Sequence, residues 1–544
     1  MEARLAGVFL AIVGLFLALS YMPYQIDDSY ITYRYAENLI HGYGFVFNQG
    51  GESVEGFSSP VWLFLLTLFG LAFGIHTLPA ISVTLGIFSY FSSAYVLYHI
   101  SINVALEKNR AAKIFGLVTP LLYLCMPSAN FYAVVGLETP AFTLLVVVFT
   151  AALSGLIPRW CGIAAAIVAT WLRPETPWLL FTMIVHVFFY HNEWQKHFLT
   201  YQRCSIALIL SYIGLLCWRY SLFHEWLPNT YFAKKPDPTS GLNYLINAIH
   251  EPWIIILFLT AFCGAWSGTK EHRFFFCIGM SWVLAAYLEG GDWMENYRFL
   301  LPAFTFACLA GHGNIYSVVA NTIKITSVSL RKKLQHYAMI FGLIATALVE
   351  VQYSRLSAYK IMKTLFITRH EMNILNNWIR LSEANSVAMI DIGIIGYQYP
   401  LSIVDLAGLT DAYIAHSNGT LMNKQFNLDY LFIQNQPDLI VIRLDKKPES
   451  STQNILYSPA LADAGYSPIE KRILSDLRLK KQYFPLFVLL PRFQGRYPLY
   501  AQVVFVRHGF KPSAQADLDT EELVVDPLPL DSCPRGLEYF CDRF

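Results

Sequence analysis

The chain has 544 residues, 55% hydrophobic, 15% aromatic and only 14% charged, with a mean hydropathy of +0.41. Soluble proteins average roughly 25% charged residues, so these figures exclude an ordinary soluble globular protein and describe a polytopic α-helical membrane protein. A net charge of +1 gives no reason to expect nucleic acid or another polyanion as a partner.

The first apolar run, Leu5 to Met22, is long enough to cross a bilayer. No small-x-small cleavage site precedes Tyr24, so the run reads as a retained signal anchor. Soon after it comes Asp27-Asp28-Ser29-Tyr30-Ile31-Thr32-Tyr33-Arg34-Tyr35-Ala36. Two adjacent carboxylates at a membrane surface repel each other and attract water, so folding does not call for them. Neighbouring positions do not share a helix face. At most one of the two points at a reacting atom, and the other is free to bind a cation or brace the loop. The plainer reading is a solvated pair at a helix end. A helix-compatible stretch, 29–41, leads into the glycine-punctuated segments His41-Gly42-Tyr43-Gly44 and Gly50-Gly51-Glu52.

A spanning helix needs about 20 mostly apolar residues. Eleven candidate spans result: 5–22, 78–99, 112–127, 139–157, 160–173, 177–190, 203–220, 253–268, 272–289, 299–321 and 337–355. Lysine and arginine collect on cytoplasmic loops, which assigns Lys108, Arg110 and Lys113, Arg159, Lys196 with Arg203, Lys270 with Arg273, and Arg331-Lys332-Lys333 to that side. The opposite face then carries 23–59, 128–138, 174–176, 221–252, 290–298 and everything after 356. This holds only if the apolar segment 60–75 makes no full crossing, so it is predicted to dip into the outer leaflet and return, or to pack short against its neighbours.

The outer loops hold the unusual residues. They are Gly136-Leu137-Glu138-Thr139-Pro140, Arg173-Pro174-Glu175, Leu227-Pro228-Asn229-Thr230-Tyr231-Phe232-Ala233-Lys234, and Glu289-Gly290-Gly291-Asp292-Trp293-Met294 with Tyr297-Arg298-Phe299. Charges at helix ends are costly to desolvate and are functional candidates by default, and five such loops on one side predict a shared cavity. Each residue also has a plainer reading. Arg34 snorkels to headgroups, Arg173 pairs with Glu175, Glu138 sits near a helix N-terminus, Lys234 and Lys235 are positive surface, and Asp292 pairs with Arg298.

After 356 the composition changes, dividing the chain into a membrane domain, 1–356, and a C-terminal soluble α/β domain, 357–544. A helical period fits 368–384, and Ser386–Asp391, Ile403–Asp405, Asp438–Arg443, Leu486–Leu490 and Gln502–Arg507 read as strands. No phosphate-binding glycine loop or nucleophile motif occurs there. Seven of the nine cysteines lie in or beside apolar runs and read as small core residues. Cys533 and Cys541 are placed to close a short disulfide if the tail is in an oxidising compartment.

At the outer face of a membrane a glycosyl donor has to arrive lipid-linked, with its phosphate near the headgroup plane. Phosphate leaves without a proton, so one carboxylate is enough to deprotonate an attacking hydroxyl. Asp27 or Asp28 fits that base. Arg298, Arg173, Arg34 and Lys234 fit a clamp on the growing phosphate charge, and a divalent cation, magnesium or manganese, on Asp27 and Asp28 would serve the same end.

Residues 27–39, Gly-Phe-Val-Phe-Asn at 44–48 and Val-Glu-Gly-Phe-Ser-Ser-Pro-Val-Trp at 54–62 resemble the opening of the mycobacterial terminal arabinofuranosyltransferases and their bacterial relatives. These are GT-C glycosyltransferases that use polyprenyl-phosphate sugars. The resemblance continues through Gly-Leu-Glu-Thr (136–139), Arg-Pro-Glu (173–175), 227–234, 290–294, 297–299 and Val-Asp-Leu-Ala-Gly-Leu-Thr-Asp (404–411). It implies a GT-C membrane fold of about eleven spans plus one dipping segment, and a multi-pass protein of the bacterial inner membrane with a periplasmic C-terminal domain. It also implies a catalytic aspartate in the first outer loop, an inverting transfer from a polyprenyl-phosphate sugar, and a periplasmic glycan, lipid or protein as acceptor. It carries Asp27 and Asp28 as base and metal or donor ligands, with Glu138, Arg173, Glu175, Asp292 and Arg298 lining the cavity. It further implies that Asp405 and Asp411, loop caps by their own context, reach back to the site. Ser-Ser-Pro at 58–60 and Thr176 after Arg-Pro-Glu depart from the family pattern, which puts arabinose in doubt as the sugar. The alternative reading is a carrier or flippase for a lipid-linked glycan.

Overall fold

The computed structural model describes residues 2–22, 25–104, 116–235, 237–322, 349, 351–359, 375–444, 463, 465–489 and 501–513. The chain divides into two units, Met1–Ile361 and Met362–Phe544.

The first unit is helical. It begins with α1 (Glu2–Leu19), α2 (Asp27–Ile40), α3 (Pro60–Phe73), a 3₁₀ turn at Ile75–Thr77, and α4 (Leu78–Val104). Next come α5 (Val118–Cys125), α6 (Pro127–Val134), α7 (Thr139–Leu153), α8 (Arg159–Leu172), α9 (Trp178–Phe189) and α10 (Trp194–Phe223). The series closes with α11 (Asn229–Lys234), α12 (Pro238–Ile249), α13 (Pro252–Ser267), α14 (Lys270–Leu288) and α15 (Leu301–Thr322).

Prolines open α3, α6, α7, α12 and α13, where a missing N–H costs nothing. Gly86 of α4 packs where an added Cβ would strike the Ala133 carbonyl, so the absence of a side chain sets the close approach of α4 and α6. Of the apolar-run cysteines, Cys125, Cys204 and Cys308 are buried as expected, whereas Cys217 and Cys263 are exposed on the outer faces of α10 and α13. Cys533 and Cys541 lie outside the described residues.

Among the described residues, two helical stretches, Ile75–Val104 and His191–Phe223, are long and apolar enough to cross a membrane. Pro238–Ile249 and Pro252–Trp266 meet at 89°. Several expected spans are shorter helices of 14 or 15 residues, such as α7 and α8. At about 1.5 Å per residue these fall below the roughly 30 Å of a hydrocarbon core. The expected span 112–127 is described only from residue 116, and its helix stops at Cys125 because Met126 turns extended before Pro127. Most of 337–355 lies outside the described residues.

Segment 60–75 contains no reversal. It is one helix, α3, ended by Gly74 at φ 93. Trp62 Nε1 donates to Gly136 O at 3.3 Å, and Gly70 packs against Ile40 and Leu78. Since Ser29 also packs at Gly136, α2 and α3 start together and end together. The apolar α3 therefore lies alongside a polar helix.

The second unit is a five-stranded mixed sheet in the order β2-β1-β3-β5-β4. Its strands are β1 (Ser386–Met389), β2 (Ser402–Asp405), β3 (Leu439–Leu444), β4 (Tyr483–Leu489) and β5 (Ala501–Arg507). β1 pairs in parallel with β2 and β3, and β5 pairs antiparallel with β3 and β4. All six residues of the central β3 are buried, five of them apolar, and the sixth, Arg443, is paired with Glu470. Short helices α16 (Gly393–Gln398), α17 (Ala412–His416), α18 (Pro468–Ser475) and α19 (Leu477–Gln482) flank the sheet. The expected helix 368–384 is described only from residue 375, and 375–381 are helical.

Candidate active site

Asp27 and Asp28 are the first two residues of α2, where the positive end of the helix dipole favours carboxylates. Just before them, Ile26 N donates to Val135 O at 3.4 Å, so the acidic pair is docked three residues from Glu138. Gly136, at φ 89, makes this junction, since an added side chain there would collide with Tyr33. Residues 29–36 and Asn38 of α2 are buried and hold the first loop: Tyr35 Oη donates to Val54 O at 2.6 Å and Asn38 Nδ2 to Val46 O at 2.8 Å.

Glu138 precedes α7, Arg173 ends α8 and Glu175 precedes α9, and the three side chains meet. Arg173 Nη1 donates to Glu138 Oε1 at 2.6 Å and Nε to Glu175 Oε2 at 2.8 Å, while Nη2 also reaches Glu175. Burial opposes the Arg173 charge, but Glu175 and Glu138 outweigh it and hold the guanidinium above its ordinary value. Every Arg173 nitrogen is thus engaged.

Arg298 joins from the far side. Its guanidinium and that of Arg173 lie 5.1 and 5.4 Å from the Phe299 ring centroid. Arg298 Nε is 2.8 Å from Asp292 Oδ2, an ion pair that lacks hydrogen-bond alignment. Among the described residues its terminal nitrogens have no hydrogen-bond partner, although the side chain is only 8% exposed. Asn296 and Tyr297, immediately before it, are both left-handed at φ 59 and 56, a costly backbone for residues other than glycine. Ser128 Oγ to Asn296 O at 2.6 Å, Tyr132 Oη to Glu295 O at 2.5 Å and Tyr297 Oη to Asn247 O at 2.9 Å hold that turn.

Two further acids belong here that the sequence reading did not single out. Glu289 caps α14 and feels the charges of Glu175, Arg173 and Arg298. Burial first, then Glu175, push its carboxyl well above the usual range. Glu55, in the first loop, is held by Arg219 of α10, and Asn229 N donates to Glu55 O at 3.1 Å. The signal for both was a carboxylate inside a glycine-bearing loop motif.

The five expected outer loops therefore meet at one end of the helices. Of the expected cytoplasmic cations, Arg159, Lys196 and Lys270 meet one another, with Lys196 and Lys270 approaching Glu193 at 3.2 and 4.0 Å and Arg159 Nη2 donating to Lys196 O at 3.3 Å, whereas Lys108, Arg110, Lys113 and Arg331-Lys332-Lys333 lie outside the described residues. Two expected residues stand apart from the arginine pair. Arg34 is buried against Phe47 and donates to Asn48 at 3.3 Å, and burial lowers its value to about 10. Half-buried Lys234 ends α11 and makes no ion pair among the described residues.

In the second unit, Asp405 is fully buried and accepts from Ala407 N, Thr410 N and Thr410 Oγ1 at 2.9, 2.8 and 3.2 Å. Asp411 caps α17 and accepts from Tyr430 Oη at 2.8 Å. Both thus serve turns of their own unit. Among the described residues no group of three or more His, Cys, Asp or Glu side chains is placed to hold a metal ion. Glu138, Glu175 and Asp292 are engaged by arginines.

Two crystal structures of ArnT from Cupriavidus metallidurans are similar to the whole chain. The apo form has 12% identity and a TM-score of 0.55, covering 93% of this chain and 98% of ArnT. The form bound to undecaprenyl phosphate has 13% identity and a TM-score of 0.53, covering 92% and 97%. The archaeal oligosaccharyltransferase AglB from Archaeoglobus fulgidus, at 13% identity over 92% of this chain and 75% of its own, reaches a TM-score of only 0.39 and carries no argument. A family model described as a domain of unknown function (DUF8728) matches residues 363–500. No curated protein matches the chain. At these identities the likeness is one of fold: the chain shares the polytopic membrane fold of ArnT.

Proposed function

We propose that the protein is a membrane glycosyltransferase that moves a sugar from a polyprenyl-phosphate donor to a glycan, lipid or protein acceptor. One observation carries the reading: Arg298 is buried, its terminal N–H donors have no hydrogen-bond partner among the described residues, and it sits in an arginine–carboxylate network beside the segment on which the acidic start of α2 is docked. A solved structure of this fold holds undecaprenyl phosphate, a lipid of the matching chemistry.

In this reading Arg298 takes the donor phosphate, and Arg173, saturated by Glu138 and Glu175, positions it through the shared Phe299 face. Asp27 or Asp28 accepts the proton of the acceptor hydroxyl as that oxygen attacks the anomeric carbon. The sugar–phosphate bond breaks, and the phosphate leaves with the electron pair while the guanidinium stabilises its charge. Attack from the face opposite the leaving phosphate inverts the anomeric centre. Lysine and arginine at the other end of the bundle argue for a network end that faces away from the cytoplasm, in a bacterial inner membrane.

The test supplies purified protein with a panel of polyprenyl-phosphate sugars and measures released lipid phosphate. Release that Asp27→Asn or Asp28→Asn abolishes supports transfer. Lipid-phosphate binding without release from any sugar, with both variants indistinguishable from wild type, favours a carrier.

A further inference from the structure

The end of α8 remote from the arginine–carboxylate network carries a second cationic cluster. Arg159 opens α8 and Arg173 follows its last residue, so the two clusters lie one helix length apart. Beside Arg159 is an open cavity of about 460 Å³, lined by the turn at 155–158 and by Arg159, Lys196, His197 and Thr200. No acidic residue lines it among the described residues.

Local geometry builds this cavity. Gly155, at φ 71, ends α7: its N–H donates to Ala152 O at 3.1 Å and Leu156 N to Ala151 O at 3.0 Å, which closes a Schellman turn. Pro158 then precedes α8 without a side-chain cap, so the positive end of that helix opens on the cavity unscreened. Arg159 Nη2 donates to Lys196 O at 3.3 Å and draws the start of α10 against the turn. Arg159 makes no ion pair among the described residues. Lys196 shares Glu193 with His197 and Lys270, at 3.2, 3.9 and 4.0 Å, so one carboxylate serves several cations. Snorkelling accounts for a single exposed cation. It does not account for two cations and an uncapped helix start converging on one cavity.

The helices around the cavity also offer an apolar surface. α8 and α10 run parallel from it: Arg159 meets Lys196, Gly162 packs near Cys204, and Trp171 Nε1 donates to Ser211 Oγ at 3.2 Å. Along this seam Ile167 of α8 and Ile206 and Ile209 of α10 are exposed. Trp160 and Trp194, close in the chain to the lining cations, are exposed as well, as tryptophans at headgroup level are.

We propose that this cavity binds the phosphodiester headgroup of an anionic phospholipid, whose acyl chains lie along the exposed faces of α8 and α10. Basic pockets between membrane helices recognise headgroups of this charge. The phosphate oxygens accept from the Arg159 guanidinium and the Lys196 ammonium, and the start of α8 adds its partial positive charge. A zwitterionic lipid brings its own cation, which the same groups repel. The site is separate from Arg298 and does not depend on the transferase reading.

The experiment measures binding of phosphatidylglycerol, phosphatidylcholine and inorganic phosphate to the purified full chain in detergent, by native mass spectrometry and by the shift in melting temperature. Phosphatidylglycerol is expected to bind well and phosphatidylcholine much more weakly. Arg159→Gln and Lys196→Gln should each lower phosphatidylglycerol affinity by roughly fivefold, the share of one cation at a membrane surface. Arg273→Gln removes an exposed cation of α14 that does not line the cavity, and it should leave that affinity unchanged. Should a variant unfold, wild type alone carries the test: its preference for phosphatidylglycerol should shrink as salt is raised, and a preference indifferent to salt overturns the proposal. Equal binding of the two lipids, or an equal loss in Arg273→Gln and Arg159→Gln, overturns the site. Inorganic phosphate that displaces phosphatidylglycerol at comparable concentration overturns the lipid as its occupant.

Discussion

Arg219 holds both carboxylate oxygens of Glu55, with Nε at 2.9 Å from Oε2 and Nη2 at 3.1 Å from Oε1, and each side chain is 2% exposed. This pair ties the end of α10 to the loop between α2 and α3, and the Asn229 N–H on the Glu55 carbonyl extends the tie to α11. The first loop is thereby fixed at its far end, as Ile26 on Val135 fixes it at its near end.

Removing one partner strands a buried charge, whereas replacing both with apolar groups removes the cost of desolvation as well. Arg219→Ala is expected to lower stability in detergent by about 3–5 kcal/mol. The pair Arg219→Met with Glu55→Leu is expected to recover most of that loss. Thermal unfolding of wild type and the two variants checks it.

Burial pushes the Glu55 carboxyl up to about 7, with Arg219 opposing. For a folded-state value raised above the ordinary 4.5, the stabilising contribution is complete below 4.5 and is lost as pH rises through about 7. Wild type should therefore lose on the order of 3 kcal/mol across that window relative to Glu55→Gln, which cannot titrate. Unfolding midpoints of the two proteins at a series of pH values measure the difference.

Asp27→Asn and Asp28→Asn keep the side-chain shape and remove the charge. One of them should lower transfer by roughly 10²–10⁴-fold, the contribution of a general base, and the other should lower it only in part. Neither should cost more than about 1 kcal/mol of stability, the size of a helix-dipole interaction. Transfer rates beside melting curves separate catalysis from folding.

Gly136 combines a left-handed φ of 89 with a packed site against Tyr33, Ser82 and Ser29. Gly136→Ala should cost about 1–3 kcal/mol and should displace the acidic start of α2 from Glu138. Transfer should fall by more than the stability loss explains when assayed well below the melting temperature.

Arg173 and Arg298 should respond differently to lysine. Arg173 spends all its nitrogens on Glu138 and Glu175, so Arg173→Lys breaks a three-point clamp and should lower the melting temperature. Arg298→Lys should leave the melting temperature nearly unchanged and weaken lipid-phosphate binding by about tenfold. Parallel melting and binding measurements distinguish the two.

The amino-acid sequence by itself determined the class of the protein, the five strands and most helices, because apolar periodicity and the proline and glycine breaks are local properties of the chain. It also separated the loops into two sets, since lysine and arginine alternate with acidic and glycine-rich motifs along the chain. The partners were decided only by tertiary structure. Glu138, Arg173, Asp292 and Arg298 are separated by up to 160 positions, and no local pattern says that Arg173 is saturated while the terminal nitrogens of Arg298 have no hydrogen-bond partner among the described residues. The geometry of segment 60–75 was likewise settled by its neighbours. Its composition suits a membrane span, but packing against Ile40, Leu78 and Gly136 lays it beside α2.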